Sequence, residues 1–291
     1  MFKKWGWVGW IVFLSISMGY AEHPVLAFSQ CQDVFQYNPD LDIEMDLYNG
    51  KVIHSQPFTK NGNRSEVYWV YIQNPKTGRM REALFKPRPY GDREGWNRTP
   101  MEYVGYELNL LLGMNYVPPV AYRRNMDVHF RHYSEGAMIQ FVEDLEILQK
   151  IPESRWGIRK DLFLSDMRIL DVLLQNTDRI SNNIAYGRNW ATENFQPILI
   201  DFGAGLRKEA LVLMTDENAF QTGAVKVIRK KTLDYLKKLS FARLKSRIGE
   251  FVADQEIHEI LDRRDGILRY FDALILRYGA SNLNSGVIIP E

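Results

Sequence analysis

The rhythm of polar and apolar positions changes along this chain of 291 residues. Residues 28 to 58 mix the two classes without a clean period and read as a lead-in segment holding one short helix. Val67 to Ile72 is rich in Val, Tyr and Trp, which predicts a strand. Asn74-Pro75-Lys76-Thr77-Gly78 is a turn, and Glu82 to Lys86 is the returning strand of a hairpin. In that strand Glu82, Leu84 and Lys86 share one face, and Ala83 and Phe85 share the other. A loop rich in Pro and Gly runs from Pro87 to Arg98. Thr99 and Pro100 then fit the N-cap and first position of a helix that runs to about Leu112 and stops at Gly113. Val104, Leu108 and Leu111 form its predicted buried stripe. Ala137 to Val142 is another short apolar strand. From Arg159 the period becomes helical: Leu162 to Gln175 reads as one buried helix, and Lys231 to Tyr278 as mostly amphipathic helix. Between them Asn183 to Tyr186 and Ile198 to Ile200 read as two short strands. A strand-rich first part and a helix-rich second part, divided between residues 142 and 160, predict an α+β protein with two lobes.

The N-terminus departs from this pattern. Met1-Phe2-Lys3-Lys4 is basic, Trp5 to Met18 is uncharged and mostly apolar, and Gly19-Tyr20-Ala21 and Val25-Leu26-Ala27 offer small residues for cleavage. This is the layout of a secretory signal over residues 1–27, with a retained membrane anchor as the alternative. Lys3 and Lys4 before the apolar run place the rest of the chain outside the cytoplasm. Cys31 is the single cysteine, so no intrachain disulfide can form. An exported, disulfide-free chain of this size fits a bacterial envelope or the extracellular space. The formal net charge of +1 gives no bulk attraction to nucleic acid. Lys226 to Lys238 holds six Lys or Arg residues, which read as a solvated face.

Two segments carry the candidate chemistry. Asn176-Thr177-Asp178-Arg179-Ile180-Ser181-Asn182-Asn183 places an Asn five residues after an Asp, and Pro197-Ile198-Leu199-Ile200-Asp201-Phe202-Gly203 ends an apolar run in an Asp. Phosphoryl transfer needs a positive anchor for phosphates, a group that positions it, oxygen ligands for a metal, and a proton acceptor for the attacking hydroxyl. Lys86 is the candidate anchor. Glu102 is the candidate positioner, with Glu107 as its competitor on another side of the same helix. Asp178 is the candidate base or orienter, and Asn183 and Asp201 offer hard oxygens for Mg²⁺ or Mn²⁺. Asn61-Gly62-Asn63-Arg64-Ser65 reads either as a phosphate-covering loop, with Asn63 and Ser65 nearest the nucleotide, or as a plain surface turn. Gln140 and Val142 fall where a connection between lobes would meet the base.

With those residues in order, the chain resembles the atypical kinases grouped with four-jointed and the Fam20-type secretory-pathway kinases, and with the phosphatidylinositol kinases. The resemblance covers roughly residues 60 to 240. It is carried by Ala83-Leu84-Phe85-Lys86-Pro87, by Glu102 to Leu112 with the following Val117-Pro118-Pro119-Val120, by Leu170 to Arg179, and by Val225 to Leu239. It implies a two-lobed protein-kinase-like fold over residues 59–291, with the small lobe to about residue 142 and the helical lobe from 143. It also implies that Lys86 holds phosphates, Glu102 pairs with Lys86, Asp178 is catalytic and Asp201 binds metal. Asn183 and Phe202 bring this chain closer to ordinary and lipid kinases than to secretory members, many of which lack that Asn and read Asp-Asn-Gly.

The resulting expectation is a kinase that uses ATP with Mg²⁺ or Mn²⁺ to phosphorylate a hydroxyl of a protein or glycan. The alternatives are a phosphatidylinositol-type lipid kinase and a nucleotide-binding pseudokinase that serves a partner. Nucleic acid is not an expected partner, and the N-terminal segment offers a route to membrane association.

Overall fold

The structure is a computed structural model and describes residues 40–58, 66–88, 98–207, 211–215, 224–279 and 287–288. The signal segment, Cys31 and the loop holding Asn63 and Ser65 lie outside the described residues. All that is described belongs to one compact unit, Tyr37–Glu291. It is mixed α+β, with strands concentrated early and helices late.

Five antiparallel strands form the main sheet: β1 (Lys51–Pro57), β2 (Tyr68–Gln73), β3 (Met80–Pro87), β4 (Val120–Val128) and β5 (Arg131–Gln140), in the order β1-β2-β3-β5-β4. Alternation along β2 and β3 sorts the side chains. Tyr68, Val70, Ile72, Ala83 and Phe85 are buried in one cluster that includes Ile43 and Leu47 of helix α1 (Leu41–Asn49). Trp69, Tyr71, Glu82 and Leu84 lie half-buried on the other face.

Residues 40–58, the described part of the segment expected to be a lead-in, are therefore part of the sheet half. α1 covers the sheet and β1 pairs with β2 along its length. Asp46 of α1 pins it down: it accepts from Asn74 Nδ2 at 2.6 Å and from Arg81 Nε at 2.7 Å. These buried polar pairs explain the missing period, because Glu44 and Asp46 sit on the packed side of the helix.

Helix α2 (Pro100–Leu111) follows. Thr99 does not cap it. Its φ and ψ of −49° and −36° are already helical, and its hydroxyl donates to the Pro87 carbonyl at 3.3 Å. The first turn opens one residue earlier, with the Met101 N–H on the Arg98 carbonyl. Gly113 ends the helix as expected. Its φ is +67°, and a Cβ there would lie 2.5 Å from the Tyr235 ring. The buried surface is wider than one stripe: Met101 to Asn109 are all buried, since α2 is enclosed by other elements on every side.

The helical half is built on α3 (Lys160–Leu174), with α4 (Lys230–Lys238), α5 (Phe241–Ile248) and α6 (Asp254–Tyr278). A small sheet joins β6 (Glu146–Ile147), which precedes α3, to β7 (Ile184–Arg188) and β8 (Phe195–Leu199), which lie between α3 and α4 in the chain, and β9 (Ile228–Arg229) pairs with β10 (Val287–Ile288). No helix among the described residues is long and apolar enough to cross a membrane.

Candidate functional site

Lys86 stands near the end of β3, opposite Ala137 of β5. Glu102 occupies the first turn of α2. The Lys86 ammonium donates to Glu102 Oε1 at 2.6 Å and to Asp201 Oδ1 at 2.9 Å. The second Glu102 oxygen accepts the Phe202 backbone N–H at 3.1 Å. One carboxylate thus fixes both the lysine and the turn that carries Asp201. Glu107, the competitor, faces elsewhere and pairs with Arg247 of α5.

Burial alone would pull the Lys86 ammonium down in pKa, but the charges of Glu102 and Asp201 outweigh it and the net shift is upward. Burial pushes the Glu102 carboxyl up against the opposing pull of Lys86 and the Phe202 N–H. At Asp201 burial also acts upward, yet Lys86 holds the carboxyl below its usual value. Lys86 and Glu102 have side-chain exposures of 8% and 5%, whereas Asp201 is 46% exposed. The buried pair therefore ends in a carboxylate that reaches solvent.

Asp201 is held in the left-handed backbone region, at φ +59°. That conformation is unfavourable for a residue with a Cβ and persists where surrounding bonds impose it. Those bonds are identifiable. Glu102 takes the Phe202 N–H, and the Arg98 N–H donates to the Gly203 carbonyl at 2.7 Å. The Phe202 ring is fully buried against Gly105 of α2, where a Cβ would lie 2.6 Å from a ring carbon.

The second motif is brought alongside by the β7–β8 hairpin. Ile184 pairs with Leu199, so Asn183 and Ile200 face each other across its open end, and the Ile200 N–H donates to the Asn183 carbonyl at 3.2 Å. Asn183 is buried, and its amide donates to the Asp178 carbonyl at 2.7 Å. The nitrogen being used in this way, Oδ1 is the end left to act as an oxygen donor. Asp178 is half-buried on the loop after α3.

Arg179, which carried no role in the sequence reading, joins the two motifs. It donates to the carbonyls of Asn183 at 3.0 Å and Ile200 at 2.7 Å, and its guanidinium lies 4.5 Å from the Phe202 ring centroid. Asp171 of α3 holds it through Nε and Nη2. Arg98 and Gly105 were also passed over. The available signals were an Arg directly after Asp178 and a Gly in the interior of a helix.

Beside Lys86 the sheet presents a row of half-buried apolar side chains: Phe58, Val67, Leu84, Ile139 and Phe141. Phe58 pairs with Val67 through a 2.8 Å backbone bond, and its ring meets Phe141 edge-on at 6.4 Å. Gln140 does not share that face. It pairs with Ala83, and its amide donates to the Phe141 carbonyl at 2.8 Å. Val142 is buried with Ala185 and Ile198, and Ile200 packs on this cluster.

Among the described residues no three His, Cys, Asp or Glu side chains are grouped to hold a metal alone. Asn183 and Asp201 stand on adjoining loops and each carries a side-chain oxygen of the hard type that divalent cations take beside phosphate oxygens and water. A cavity of about 590 Å³ opens elsewhere, between Val172, Leu213, Arg263 and Tyr270, and shares no residue with this cluster. No model of a known protein family matches the chain, and a search of curated proteins returns no match.

Proposed function

We propose that the protein is an ATP-dependent phosphotransferase with a two-lobed kinase-like fold, acting on a hydroxyl of a protein or glycan. The observation that carries this reading is the chain of contacts from Glu102 through Lys86 to an exposed Asp201, with Asn183 held alongside. The sheet order and the helix that presents Glu102 to β3 support the fold assignment. The apolar row from Phe58 to Phe141 supports a slot for a flat base next to the phosphate anchor.

In this reading Lys86 holds phosphate oxygens as a point charge, kept in place by Glu102. Asn183 and Asp201 would hold a divalent cation, which supplies charge neutralisation at the phosphates when bound. Asp178 orients the acceptor hydroxyl and takes its proton. A bond forms between the acceptor oxygen and the terminal phosphorus, the bond from that phosphorus to the bridging oxygen breaks, and ADP carries away the electron pair. Lys86 must exchange part of its contact with Asp201 for phosphate, which the exposure of Asp201 permits. Residues 1–27 support export, with the domain outside the cytoplasm.

Incubation with labelled ATP, Mg²⁺ or Mn²⁺, and protein, glycan and phosphatidylinositol acceptors tests the proposal. Transfer that disappears in Asp178→Ala and Asp201→Ala supports it. Labelled phosphatidylinositol with unlabelled proteins and glycans would move the acceptor to lipid. Nucleotide binding with no turnover under any condition would make the protein a pseudokinase.

A further inference from the structure

We propose that Arg179 is the positioning residue that sets the spacing of the two oxygen donors, Asn183 and Asp201. The inference rests on the phosphotransferase reading and adds to it a residue that touches neither nucleotide nor acceptor.

Asn183 and Asp201 come from different loops. Each sits beside a backbone carbonyl that one guanidinium grips: Nη1 of Arg179 donates to the carbonyl of Asn183 itself and to that of Ile200, the residue before Asp201. A single nitrogen bridging both loops fixes their separation more tightly than the 3.2 Å backbone bond from Ile200 to Asn183 alone. The guanidinium is not free to swing, because Asp171 takes Nε at 3.1 Å and Nη2 at 3.0 Å. Asp171 in turn lies on α3 and also accepts from Asn176 at 3.2 Å, within the segment that leads to Asp178. The flat side of Arg179 covers the Phe202 ring, so the same group steadies the residue after Asp201.

This arrangement exceeds what fold stability requires. Arg179 and Asp171 have side-chain exposures of only 5% and 4%, and burying an ion pair gives little net stability over apolar residues of the same size. What the pair provides is a planar fork with donors in fixed directions, which a lysine cannot reproduce. Displacing groups that orient metal ligands weakens metal binding by roughly 10–100-fold.

The test is Mn²⁺ binding followed by electron paramagnetic resonance, with and without a non-hydrolysable ATP analogue, in wild type, Arg179→Lys and Arg179→Met. Circular dichroism and thermal melting confirm that each variant is folded. The expected result for Arg179→Lys is nucleotide affinity without metal within about twofold of wild type, since Lys86 is untouched, and Mn²⁺ affinity in the ternary complex weakened roughly 10–100-fold. Should Arg179→Met fail to fold, Arg179→Lys alone decides, because it keeps the charge beside Asp171. A folded Arg179→Lys that binds Mn²⁺ and nucleotide as wild type does overturns the positioning role and leaves the phosphotransferase reading standing. Wild-type protein that binds neither Mn²⁺ nor nucleotide overturns both.

Discussion

Helix α2 carries two buried glutamates five residues apart, each paired with a cation, yet the two surroundings differ. Glu102 meets Lys86, and the pair ends in Asp201, which is exposed and carries an unfavourable backbone conformation. Glu107 meets Arg247 in a sealed cluster. Around it Tyr106 donates to Glu44 and, at 3.4 Å, to Asp40, and Trp190 donates to Asp40 at 2.9 Å. In the proposed function the first cluster exchanges a partner, and the second anchors the helix that bears the first. The difference lies at the far end of each chain of contacts: Asp201 is 46% exposed, whereas Arg247 is 14% exposed.

The sharpest way to break this comparison is to change the open end. Asp201→Asn is expected to lower phosphoryl transfer by roughly 10²–10⁴-fold. Its melting temperature should stay close to wild type, because Lys86 keeps Glu102. A large loss of stability in place of activity would show that the first cluster is scaffolding too.

Arg247→Met should do the reverse. It leaves Glu107 buried beside Glu44 without its cation, at a cost of about 3–5 kcal/mol in urea unfolding. Nucleotide affinity of the folded fraction should be unchanged.

A third test uses protons. Burial pushes Glu107 up to about 7 and Asp40 up to about 6, with Glu44 adding to both shifts while Arg247 opposes at Glu107 and Trp190 opposes at Asp40. Both carboxyls then hold protons in the folded state that the unfolded chain has released, so between about pH 4.5 and 7 the folded form binds more protons. Stability contributed by these groups is present at the acid end and lost as pH rises through 6 to 7. For Glu107 the loss is on the order of 3 kcal/mol. Glu107→Gln should flatten this fall in denaturant melts taken from pH 4.5 to 7.5, and an unaltered slope would remove Glu107 as its source.

The smallest effect probes the seam between the regions. Gly105→Ala changes no charge but intrudes on the Phe202 ring. A cost of about 1–3 kcal/mol is expected, with weakened metal-dependent nucleotide binding as Phe202 is displaced. Nucleotide binding indistinguishable from wild type would show that Asp201 is held independently of Phe202.

Much of the frame was legible in the chain. The hairpin bearing Lys86, the stop of α2 at Gly113, the long helix before Asp178 and the strands flanking the second motif follow from period and turn chemistry, which are local. What failed to show was partner choice. Thr99 looked like a cap, but its hydroxyl was needed at Pro87. Residues 28–58 read as a lead-in, because the polar side chains of α1 find their partners in Asn74 and Arg81, far away in sequence. Glu102 and Glu107 could not be ranked from the helix alone, since Lys86 and Arg247 lie on different elements. Arg179 and Gly105 acquire meaning only when Phe202 is packed between them.

The β7–β8 hairpin has a consequence for how such chains are compared. The facing of Asn183 and Ile200 is set by the ladder beginning at Ile184 and Leu199, and not by how many residues lie between them. Residues added at the far tip, or in matched pairs along both strands, leave the two oxygen donors where they are. The gap between the two motifs is therefore free to vary, while the five-residue step from Asp178 to Asn183, closed by a side-chain bond within one loop, is not. A sequence pattern that fixes the long interval and relaxes the short one would pass over chains built to this plan.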